Sequence, residues 1–76
     1  MTAVDVCFRY GGAPDERAMR GVDRLWEVYG IRRIRFDEQE QTVTVEYDAT
    51  RFDDSMVAAL LRRAGLDLRE QLALAG

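Results

Sequence analysis

The chain has no lysine, no histidine and no asparagine, and it holds one serine, one cysteine and one proline. These absences remove most of the side chains that enzymes use as general acids, bases and nucleophiles, so the expectation is a non-enzymatic protein with no cofactor. Cys7 has no second thiol for an internal disulfide and no imidazole to complete a tetrahedral metal site, which points to a reducing, cytoplasmic setting. No window approaches the ~18 apolar residues of a membrane span. The opening MTAVDVCFRY alternates where a leader would place a basic segment before an apolar run, so no membrane role is expected. All eleven bases are arginine and fourteen acids outnumber them, for a net charge of −3. Such a surface repels a phosphate backbone, so nucleic acid is not an expected partner.

What is present is 76 residues, 47% hydrophobic and 33% charged, the composition of one small folded domain. A chain of this size buries only about 60 to 65% of its unfolded surface, too little for a deep reaction chamber. Val4, Val6, Phe8 and Tyr10 alternate with Asp5, Cys7 and Arg9, the period of a half-buried strand. Gly11 and Gly12 release the chain, and Pro14, Asp15 and Glu16 read as a helix entry with Pro14 in the first helical position. Ala18, Val22, Leu25 and Tyr29 form a helical stripe widened by Met19 and Trp26, which predicts a helix ending at Gly30 and core packing for Trp26 and Tyr29, the alternative being an exposed aromatic anchor of the kind that dominates interfaces. Ile31, Ile34 and Phe36 then mark a strand. The polar turn Asp37 to Gln41 joins it to Val43, Val45 and Tyr47, giving a hairpin. Asp53 caps a second helix, with Phe52 and Val57 as a hydrophobic staple and Met56, Val57, Leu60, Leu61 and Ala64 as its stripe. Gly65 ends that helix. Leu66 and Leu68 open a fourth strand within a single domain over 1–70, leaving 71–76 as a tail or strand extension.

The order βαββαβ predicts an α+β ferredoxin-like sandwich, a four-stranded antiparallel sheet with two helices on one face. Asp5, Cys7, Arg9, Arg33, Arg35, Thr42, Thr44 and Glu46 would line the other, open face. Residues 4–69 then resemble the heavy-metal-associated family of bacterial copper chaperones and of the N-terminal modules of metal-transporting ATPases and mercuric reductases. The resemblance is carried by YGG after the first strand, GVDRLWEVYGI closing the first helix, the hairpin IRRIRFDEQEQTVTVEYD, and MVAALLRRAGL. It implies the ferredoxin-like fold and a bacterial role in metal homeostasis. The family grips a soft ion with GMxCxxC, two thiolates at i and i+3 on the first helical turn. Setting Gly11 on the family's glycine places Pro14 and Arg17 at the thiol positions; setting Gly12 there, which suits the strand phase, places Asp15 and Ala18. Gly12 or Ala13 replaces the family's methionine, and Leu66 its aromatic or lysine.

The expected function is therefore a protein-interaction or regulatory module with no thiolate metal site. Its candidate interaction loop is Gly12, Ala13, Pro14, Asp15, Arg17, Arg20 and Leu66. A second candidate is self-association through the open sheet face, with Arg9, Arg33 and Arg35 meeting Asp5 and Glu46 of another copy and Cys7 between them. The alternative reading is metal trafficking with non-classical ligands: Asp15 and Glu16, or Cys7 from two copies. Asp37, Glu38 and Glu40 lack calcium-loop spacing and read as a solvated turn. Neither phosphate-loop fingerprint follows Gly11, an acylphosphatase would require an asparagine, and RNA stacking would require aromatics on the open face.

Overall fold

A computed structural model of the chain describes residues 2–73. Its elements are β1 (Ala3–Tyr10), α1 (Glu16–Leu25), β2 (Ile31–Asp37), β3 (Thr42–Asp48), α2 (Asp54–Ala64) and β4 (Leu68–Leu72). The strands form one antiparallel sheet in the order β2-β3-β1-β4. The alternating residues of β1 and β3 put Val6, Phe8, Tyr10, Val43, Val45 and Tyr47 into one core with Ala18, Val22 and Leu25 of α1 and Val57, Ala58 and Leu61 of α2. Both helices therefore cover the same sheet face, the ferredoxin-like arrangement that the element order implies. Among the described residues, every buried side-chain nitrogen and oxygen has a hydrogen-bond partner.

The open face is organised in cross-strand rows. Asp37, Thr42, Arg9 and Glu70 form one, Arg35, Thr44, Cys7 and Leu72 the next, and Arg33, Glu46 and Asp5 a third. In β2 the register shifts between Ile31 and Arg33, a bulge that lets Ile31 and Ile34, three residues apart, both reach the core side. β4 runs on to Leu72, beyond residue 70, and residues 74–76 of the expected tail lie outside the described part of the chain.

Three expectations need correction. Helix α1 stops at Leu25, not at Gly30. The amides of Trp26, Glu27 and Val28 donate to carbonyls three residues back, and these tight turns end the α-helical ladder. Trp26 and Tyr29 are thereby carried off the buried stripe and are 49% and 70% exposed. Pro14 lies before the cap, because Asp15 is the N-cap residue, its carboxylate accepting from the Ala18 amide at 2.8 Å. Gly30 has a φ of +107°, and a Cβ there would stand 2.5 Å from the Phe52 ring, so both conformation and space demand glycine. Asp53 caps α2 through the Met56 amide at 2.9 Å, and Gly65, at φ +113°, ends the helix as expected.

Candidate functional site

The loop between β1 and α1 is tied down from two sides. The Gly11 amide donates to the Asp67 carbonyl at 2.8 Å, and the Gln41 side-chain amide donates to the Gly12 carbonyl at 3.0 Å. The Tyr10 amide donates to the Gln41 carbonyl at 2.9 Å, so the hairpin turn and the loop form one structure. Tyr10 and Phe36, at the ends of β1 and β2, meet edge to face with ring centroids 5.8 Å apart. With Gly12, Ala13, Pro14 and Met19 they line an open concavity of about 310 Å³, rimmed by Glu38 and Gln41. Burial first, then the Glu38 and Asp37 carboxylates, push the Tyr10 phenol above its ordinary pKa. It remains a neutral hydroxyl at neutral pH rather than an anionic ligand.

The loop brings together Gly12, Ala13, Pro14 and Asp15, with Arg17 and Arg20 exposed on the first turns of α1. It does not bring Leu66 to the surface. Leu66 is 4% exposed because the left-handed Gly65 turns it inward, where it joins the core. The residues that the expected patch omitted, Tyr10, Met19, Phe36 and Gln41, complete the concavity. Tyr10 and Phe36 read as core from their alternation, and the signal that they also form a surface was their position at strand ends beside the paired glycines. Met19 was visible as the rim of the helical stripe and is 38% exposed.

The residues present do not fit a thiophilic ion. Asp15 already serves as the helix cap, and Ala18 is buried against Gly65, with 3.3 Å between the Ala18 Cβ and the position a Gly65 Cβ would take. Glu16 holds Arg20 at 2.6 Å. Among the described residues, no three histidine, cysteine, aspartate or glutamate side chains gather where they could hold a metal ion. Asp37 accepts from the Glu40 amide at 3.2 Å within the hairpin turn.

On the open sheet face Asp5, Arg9, Arg33 and Arg35 are exposed and Glu46 is half-buried. Cys7 lies on the open face, as its strand phase implies. It sits in a central strand, flanked in register by Thr44 and Leu72, and only 7% of it reaches solvent. Several of the face's charges are matched within the chain: Arg9 binds Glu70 at 2.7 Å and Arg32 lies 3.8 Å from Glu46. A second concavity, at the far end of α1, is lined by Trp26, Val28, Tyr29 and Ile31, and Arg51 stacks on the Tyr29 ring at 3.9 Å. Among the described residues, no helix is long and apolar enough to cross a membrane.

The chain matches no family model and no curated protein. Among solved structures it is similar to apo-CopP from Helicobacter pylori, at 18% identity and a TM-score of 0.69 over 87% of this chain and all of that one. It is also similar to the N-terminal domain of PacS from Synechocystis PCC6803, at 15% identity and a TM-score of 0.66 over 92% of this chain and 98% of that one. The ferredoxin-like βαββαβ sandwich is thus common to all three chains.

Proposed function

We propose that this chain is a non-enzymatic interaction or regulatory module of the heavy-metal-associated type, linked to metal homeostasis and acting through a protein partner at the β1–α1 loop. The observation that carries this reading is the exchange of chemistry at one place in the fold. The positions that face a thiophilic ion in the resembling family hold Pro14 and Arg17 on one alignment, or the capping Asp15 carboxylate and the buried Ala18 methyl on the other, and an apolar concavity opens beside them. An exposed methionine and aromatic edges suit a hydrophobic anchor from a partner. The link to metal homeostasis is supported by the segment-by-segment resemblance and by the fold shared with CopP and the PacS domain.

Two measurements test it. Titration with Cu(I) and Zn(II) under reducing conditions is expected to show no tight stoichiometric complex; a tight complex lost in Cys7→Ser would establish metal trafficking instead. Affinity capture is expected to retain a partner that Met19→Asp releases and Arg35→Glu keeps. Retention by Met19→Asp would remove the loop from the interface.

A further inference from the structure

The helix layer carries a groove that shares Arg17 and Arg20 with the candidate loop patch and extends beyond it to Arg24 and Arg63. Where α1 crosses α2, this open groove of about 420 Å³ is lined by Arg17, Arg20 and Arg24 on one wall, Arg63 on the other, and Gly21 and Ala64 at the floor. It continues past Arg24 and Arg63 to Leu25 and Leu60. Four arginines thus line one groove in a chain whose net charge is −3. Among the described residues the only carboxylate paired with any of the four is Glu16, on Arg20, and both of those side chains are more than 70% exposed. Such a surface pair is weak and exchangeable.

Helix stability accounts for part of this placement. Arg24 and Arg63 lie in the last turns of their helices, where a cation favours the dipole. Arg17 lies in the first turn of α1, where the dipole disfavours it, and nothing in helix energetics brings the four to one groove.

We infer that this groove docks an acidic, extended segment of a partner protein. Guanidinium groups pair with carboxylates through two parallel hydrogen bonds. Arg17, Arg20 and Arg24 climb α1 in axial steps of roughly 4.5 and 6 Å. Carboxylates on alternate residues of an extended strand repeat every ~6.6 Å, close enough for flexible arginines to follow. Gly21 lets the Ala64 backbone pack directly against α1, so the two helices close the floor between the arginine walls, and Leu60 offers an apolar contact at the far end. A long polyanion fits less well. Nucleic acid needs a continuous basic stripe, whereas these four arginines are confined to one short groove. The inference goes beyond the loop reading, since Arg24 and Arg63 lie outside the loop concavity and can be changed without touching it.

The test is fluorescence anisotropy of the full chain with a labelled peptide of about eight residues alternating glutamate and alanine, a length set by the strand repeat. Saturable binding is expected at low ionic strength, weakening about tenfold or more as salt rises to physiological levels. The double variant Arg24→Glu/Arg63→Glu is expected to lose binding at least about tenfold, and Arg24→Gln/Arg63→Gln, which keeps much of the side-chain length, by an intermediate factor. Arg35→Glu, on the sheet face, should bind as wild type, with circular dichroism confirming the fold of each variant. Absence of saturable binding, or equal loss in Arg35→Glu, would overturn the inference. So would tighter binding of an oligonucleotide of equal charge with the same arginine dependence, or concentration-dependent self-association removed by the double variant.

Discussion

At the scale of single residues, the Tyr47 phenol and the Asp48 carboxylate tie the stability of the fold to pH. Burial, and then the hydrogen bond to Asp54, push the Tyr47 phenol up to about 12. An unfolded tyrosine ionises near 10. Because the folded value is the higher one, the stabilisation is complete below about pH 10 and drains away as pH climbs through about 12. Alkaline denaturation should therefore be steep in the wild type and shallower in Tyr47→Phe, and phenolate absorbance near that pH should drop in the variant. An identical alkaline branch in the two proteins would refute the assignment. Asp48 does the reverse at the acid end. The Thr50 hydroxyl and amide, at 2.7 and 3.0 Å, hold its carboxyl below the usual range against the opposing effect of burial. Its contribution is intact above about pH 4 and is lost as pH falls through the lowered value. Denaturant midpoints for Asp48→Asn should fall less between neutral and acid pH than those of the wild type, and parallel acid limbs would count against this role.

At the scale of elements, the helices carry two local commitments that can be tested separately. Asp15→Ala removes the cap of α1 and should lower stability by about 1 kcal/mol, while Asp15→Asn, also a good cap, should recover most of it. Urea denaturation of the pair distinguishes a lost cap from a lost charge. Gly21 gives a sharper case. Alanine in a helix interior is ordinarily favoured over glycine by about 1 kcal/mol. Here the added Cβ would stand 2.5 Å from the Ala64 carbonyl oxygen and 2.9 Å from its Cα, backbone atoms that cannot swing aside. Overpacking of this kind costs about 1 to 3 kcal/mol, so the clash wins and Gly21→Ala should destabilise. A rise in the urea midpoint would show that the helices separate freely. These details also mark how far the sequence could be read. The alternation in β1 and β3, the Asp53 cap and the Gly65 stop are local signals, visible in a few residues. The bulge at Arg32 was written only as an odd spacing between Ile31 and Ile34. The early end of α1 was hidden because Trp26 and Tyr29 continue the helical period while the backbone leaves it. The loop concavity and the arginine groove depend on elements distant in sequence meeting in space, Tyr10 with Phe36 and α1 with α2, which no single window contains.

At the scale of the whole molecule, the two broad surfaces differ in what they leave unsatisfied. The open sheet face pairs much of its own charge, through Arg9 with Glu70 and Arg32 with Glu46, and Arg33 stands opposite Glu46 in register. Its thiol is covered. Opposite charges already matched within one copy gain little from a second, and charged side chains on a sheet discourage further association. Among the described residues, the exposed large apolar side chains, Met19, Trp26, Tyr29 and Met56, belong instead to the helices and the turn after α1. We expect contacts to engage the helix side and its ends, against the alternative of self-association through the sheet. Small-angle scattering across a concentration series should give a constant radius of gyration slightly above the 11.5 Å of the described Cα trace. Arg35→Glu, which removes a sheet-face arginine outside those matched pairs, should leave that value unchanged. Growth with concentration that Arg35→Glu abolishes would make the sheet the interface, because only a contact drawing on that row of side chains would respond to the reversal.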